Sequence, residues 1–82
     1  MKNITTEFKN NGVFRYYIKT LGFKTVPQED RNLMYFTDSL GHQIVLKYSP
    51  EGNTISFLNK NGFTIFKGET CTKEDVKNFI KV

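Results

Sequence analysis

Three glycine-bearing turn signals, Ser39-Leu40-Gly41, Pro50-Glu51-Gly52-Asn53 and Lys60-Asn61-Gly62, divide the middle of this chain into four short runs. Those runs, residues 33–37, 42–48, 54–58 and 63–67, are rich in β-branched and aromatic side chains. Strand-forming runs joined by tight glycine loops spell an antiparallel meander. In three-residue hairpin loops the last place takes a left-handed conformation that suits glycine. Ser39-Leu40-Gly41 then sets Phe36 opposite Ile44 and Met34 opposite Leu46, and Lys60-Asn61-Gly62 sets Phe57 opposite Ile65. A four-residue loop at Pro50-Glu51-Gly52-Asn53 pairs Tyr48 with Ile55 and Leu46 with Phe57. This register gathers Met34, Phe36, Ile44, Leu46, Tyr48, Ile55, Phe57, Phe63 and Ile65 on one core face. A rival two-residue loop at Asn61-Gly62 would slip the last strand by one and turn Phe66 inward.

The same register gives the second face an apolar row. Tyr35 falls opposite Val45, Val45 opposite Leu58, and Phe66 lies diagonal to Leu58. A face that meets only water should be polar at these places. The row is therefore expected to be covered, by residues near Ile4 and Phe8 or by a partner protein or a second copy of this chain.

Around the meander the pattern changes period. Phe14, Tyr17, Ile18 and Leu21 recur at helical spacing, and Gly22 stands where a helix would stop, with Phe23 able to pack back on it. The spacing predicts a helix over about residues 11–21, entered through Asn10 or Asn11, and an unbroken helix from residue 4 is the alternative. Phe23-Lys24-Thr25-Val26 reads as a fifth strand ended by Pro27. Thr72-Lys73-Glu74-Asp75 looks like a capped helix start, and Val76, Phe79 and Ile80 give that helix a short apolar stripe over about residues 73–81. The expected fold class is α+β, a single domain over residues 1–82: an N-terminal helix, a four- to five-stranded antiparallel meander and a short C-terminal helix.

Charge is unevenly placed. The chain carries a formal net charge of +4. Residues 1–28 hold Lys2, Lys9, Arg15, Lys19 and Lys24 against Glu7 alone, and the remaining residues balance. On the first helix Arg15, Tyr16 and Lys19 are expected to face outward, a cationic surface suited to phosphate or to an acidic protein. No apolar run is long enough for a signal peptide or membrane span, and the single cysteine excludes an internal disulfide, so a cytoplasmic setting is expected.

Catalytic signals are sparse. His42 is the only histidine and is read as a half-exposed residue at a strand start. Cys71 precedes a helix whose dipole could activate it, though an unreactive loop cysteine is the plainer reading. The pairs Glu29-Asp30 and Glu74-Asp75 are sequence neighbours that do not face each other across a substrate. No phosphate loop, dinucleotide fingerprint, nucleophile elbow or zinc spacing occurs, so no cofactor, metal or catalytic residue is assigned and an enzyme is not expected. The element order is similar to that of double-stranded-RNA-binding-like domains, including small toxins that cleave messenger RNA. Their Gly-Ser-His context is here only Gly41-His42, and Glu74-Asp75 occupy the place of their basic helix start, so the chain is not assigned to that family. The expected function is a non-enzymatic protein-binding module, an accessory, inhibitor or self-associating protein of the size that suits a phage or mobile element. Its contacts would be Tyr35, Val45, Leu58 and Phe66, with Arg15, Tyr16 and Lys19. Nucleic-acid binding through the basic helix is the alternative.

Overall fold

The computed structural model describes residues 11–81. They form α1 (Asn11–Thr20), β1 (Lys24–Val26), β2 (Leu33–Thr37), β3 (Gln43–Lys47), β4 (Thr54–Leu58), β5 (Thr64–Gly68) and α2 (Lys73–Ile80). The strands make one antiparallel sheet in sequence order, β1-β2-β3-β4-β5. This is the expected α+β meander with its optional fifth strand present. The cap at Asn10 and the packing of Ile4 and Phe8 lie outside the described residues.

Each helix ends where its sequence says it must. Gly22 adopts φ 103°, the left-handed region. There its N–H donates to Lys19 O and the Phe23 N–H donates to Ile18 O, both at 3.1 Å. That pair of bonds satisfies two carbonyls left open at the end of α1 and turns Phe23 back into the core. At α2, Thr72 Oγ1 accepts from the Asp75 N–H at 3.1 Å, and Asp75 Oδ2 accepts from the Thr72 N–H at 2.9 Å. This reciprocal cap fixes the start of a helix of 8 residues, too short to persist without docking.

Both helices dock on the same side of the sheet. Phe14 and Ile18 of α1, Val76 and Phe79 of α2, and Phe36, Ile44, Leu46, Ile55 and Phe57 of the strands form one buried cluster with Phe23 and Cys71. Phe79 is its aromatic hub, with centroid distances of 4.8 Å to Phe57, 5.1 Å to His42 and 6.4 Å to Phe23.

The β2–β3 register is the expected one, with Met34 on Leu46 and Phe36 on Ile44. Two other expectations need correction. Between β3 and β4 the pairs are Leu46 with Ile55 and Ile44 with Phe57, two residues away from the expected register. The reason lies in the loop. Ser49 O accepts from the Gly52 N–H at 3.1 Å and Ser49 Oγ donates to Gly52 O at 2.6 Å, so the turn closes at Ser49. Tyr48 gives its N–H to Asn32 O at 2.8 Å and pairs toward β2 instead of Ile55. A slip of two leaves every side chain on its face, so the core assignment on these strands survives.

The second correction changes a face. The Lys60-Asn61-Gly62 loop forms as expected, and Leu58 pairs with Thr64. A bulge then intervenes and Phe57 pairs with Phe66. Ile65 is the extra residue, so Phe66 turns inward although the rival two-residue loop does not form. Phe66 stacks on Phe57 at 4.9 Å, whereas Phe63 and Ile65, expected in the core, stand 69% and 42% exposed. A flat aromatic pair is favourable beyond its buried area, which explains why the strand kinks to place Phe66 there. Phe66→Ala is accordingly expected to cost about 2–3 kcal/mol, against about 1 kcal/mol or less for Phe63→Ala. Urea midpoints of the two variants check this ordering.

Candidate functional site

The register lays out the outer face of the sheet row by row. Across its middle run Val26, Tyr35, Val45, Ser56 and Lys67. Toward the β2–β3 hairpin run Lys24, Thr37, Gln43, Leu58 and Thr64, and at the opposite end Leu33, Lys47 and Thr54. Tyr35, Val45 and Leu58 are thus brought to one surface, each half-buried, with Val45 opposite Ser56 instead of Leu58. Phe66 does not join them, because the bulge has moved it to the core side.

The first helix also differs from expectation. Tyr16 and Lys19 are exposed, Tyr16 at 71%. Arg15 is drawn in: its guanidinium donates to the Tyr48 hydroxyl at 2.9 Å, joining α1 to the end of β3. Sequence spacing placed Arg15 outward, but a long side chain can reach along the helix to a phenol on the neighbouring sheet. Lys73 Nζ lies 5.7 Å from the Tyr17 ring centroid, which links α1 to the start of α2.

Sequence reasoning missed one polar cluster, at the hairpin end of the sheet. His42, expected to be half-exposed, is 6% exposed. Its Nδ1 lies 2.8 Å from Asp38 Oδ2. Since a carboxylate can only accept, the proton of that bond sits on Nδ1. The other oxygen, Asp38 Oδ1, accepts from the N–H groups of Leu40 at 3.0 Å and His42 at 2.8 Å. Burial pushes the Asp38 carboxyl up. The hydrogen bonds from the His42 ring and backbone, the His42 charge and the Leu40 N–H together outweigh it and hold the carboxyl below its ordinary value. The signal in the sequence was the aspartate four residues before the histidine, across a loop closed by glycine.

The β4–β5 loop repeats this loop with a different occupant. Asn59 Oδ1 accepts from the N–H groups of Asn61 and Phe63, both at 3.0 Å, as Asp38 does from Leu40 and His42. The two loops lie side by side. A Cβ built on Gly41, where φ is 92°, would stand 3.0 Å from Lys60 Cβ, so both the turn and the close approach require glycine there. Between them is an open hollow of about 410 Å³ lined by Leu40, His42, Asn59, Lys60 and Asn61. It offers one imidazole, one ammonium and two amides, with no thiol or carboxylate among its lining residues. Cys71 is buried in the core and out of reach of solvent. Among the described residues no three His, Cys, Asp or Glu side chains gather as a metal site, and no helix is long and apolar enough to cross a membrane.

Comparison with protein-family models, with curated proteins and with solved structures finds no match to this chain.

Proposed function

We propose that this chain is a non-enzymatic protein-binding module that docks a partner on the outer face of its sheet. One observation carries the reading: α1 and α2 both supply the single core on the inner side, while Val26, Tyr35, Val45 and Leu58 share the other face. A sheet face that served only to meet water would carry polar side chains at those places. The nucleic-acid alternative draws less support, since Arg15 is engaged with Tyr48 and Lys19 is the one exposed cation of α1 among the described residues.

Val45→Lys combined with Leu58→Lys is expected to keep the fold. Lysine stems can lie along a half-buried sheet surface with the ammonium in water, so the stability change should be about 1 kcal/mol per site or less. Association measured by sedimentation and by affinity capture should be lost. Unfolding of the double variant would assign the row to an internal core, and unaltered association would remove this face from the proposal.

A further inference from the structure

We propose that the outer face takes an acidic protein segment, with apolar side chains flanked by carboxylates, and not a second copy of this chain. The inference rests on the docking reading above and adds the partner's chemistry. It comes from the charges the strands carry. The charged side chains within the five strands are Lys24, Lys47 and Lys67, and the register puts all three on the outer face, where each is exposed. They surround the apolar centre on three sides: Lys24 on edge strand β1, Lys67 on edge strand β5, and Lys47 at the end of β3.

No strand residue supplies a carboxylate to this face. Lys24 is paired across the sheet with Thr37, and Lys67 with Ser56. At one end Glu51 and Glu69 line a hollow of about 270 Å³ with Lys47. Lys47 is therefore partly offset by its own chain, whereas among the described residues the two edge lysines form no ion pair. A second copy docking on this face would bring another set of lysines and no strand-borne acid. A segment alternating aliphatic or aromatic residues with Asp or Glu would meet both the centre and the edges, and opposed charge fixes its register and speeds its encounter.

The aliphatic composition of the centre decides between acidic classes. Val26, Val45 and Leu58 need an apolar counterpart, and Tyr35 is the only aromatic ring that the strands place on the face, so they offer little platform for stacked bases. Three lysines without an arginine also lack the planar fork that favours phosphate.

The test uses the full chain as bait for a random peptide library displayed on phage, with Lys24→Glu plus Lys67→Glu and Val45→Lys plus Leu58→Lys as comparison baits. Retained amide spectra establish that both variants are folded. Enriched peptides should combine acidic with apolar residues, lose affinity about tenfold against the Lys24→Glu, Lys67→Glu bait, and lose it almost wholly against the other. Apolar peptides without acids that tolerate the glutamate variant but not Val45→Lys, Leu58→Lys would overturn the acidic partner and leave the docking face standing. A dimer in sedimentation that the Val45→Lys, Leu58→Lys variant breaks would overturn it in favour of self-association. Binding of a labelled single-stranded oligonucleotide that the glutamate variant abolishes would overturn it in favour of nucleic acid. Peptides indifferent to both variants would remove the docking face itself.

Discussion

Phe57→Ala is expected to lower the unfolding free energy by about 3–5 kcal/mol, the largest loss that truncating one side chain of this sheet should produce. Phe57 is fully buried and sits between two rings, with Phe66 at 4.9 Å and Phe79 at 4.8 Å, both nearly parallel to it. Removing the middle ring takes away its own buried surface and leaves two aromatic faces against a void. The neighbours cannot easily close that void. Phe66 is held by a strand pairing and Phe79 by a helix whose only other fully buried anchor is Val76. A chain of this size is expected to be stable by about 4–12 kcal/mol in total, so the variant should stand close to unfolding at room temperature. Urea denaturation followed by far-ultraviolet circular dichroism gives the midpoint. A shift of less than about 1 kcal/mol would mean that Phe57 is not the centre of the stack.

The fate of Phe57 and its neighbours marks what could be read in advance. The four meander strands, the inner-face residues on β2, β3 and β4, both helix periods, the Gly22 stop and the Thr72 cap follow from local chemistry, and local chemistry is printed residue by residue. Register between β3 and β4 is a different matter. It turned on whether Tyr48 pairs with Ile55 or gives its N–H to Asn32, a choice between two partners far apart in sequence. The bulge at Ile65 was beyond pattern reading for the same reason. Alternation places Phe63 and Ile65 inside, and only competition for the ring of Phe57 puts Phe66 there instead. That competition also reshaped the candidate site: Tyr35, Val45 and Leu58 remain on the outer face, Phe66 leaves it, and Arg15 is drawn to Tyr48. The lysines that frame the face were visible as residues but not as a group. They become one only when the register shows that Lys24, Lys47 and Lys67 all point the same way.

Asp38→Ala is expected to cost about 3 kcal/mol, and Asp38→Asn about 1 kcal/mol, because the chain itself contains the control. Asn59 holds the equivalent place in the β4–β5 loop and makes the same two backbone contacts through its amide oxygen. Asparagine at 38 should therefore keep the acceptor for the Leu40 and His42 N–H groups and close the hairpin. What it loses is the carboxylate facing His42 Nδ1. It can meet that nitrogen only through its NH2 group, which requires the imidazole in its other tautomer. Alanine loses all three bonds and leaves two loop N–H groups and a buried ring nitrogen without the carboxylate; hydrogen bonds to a charged group contribute about 1.5–3 kcal/mol. The two variants separate the loop-closing role from the pairing role. Acid should separate them again. Asp38 is held below its ordinary value near 3.8 in the folded chain, so its contribution is complete above that value and fades as pH falls through the lower, folded one. The stability gap between wild type and Asp38→Asn should shrink as the solution is taken from about pH 5 toward pH 3. A gap that stays level to the lowest pH would show that Asp38 serves the hairpin only as a turn residue, as Asn59 does, and that its pairing with His42 stabilises nothing.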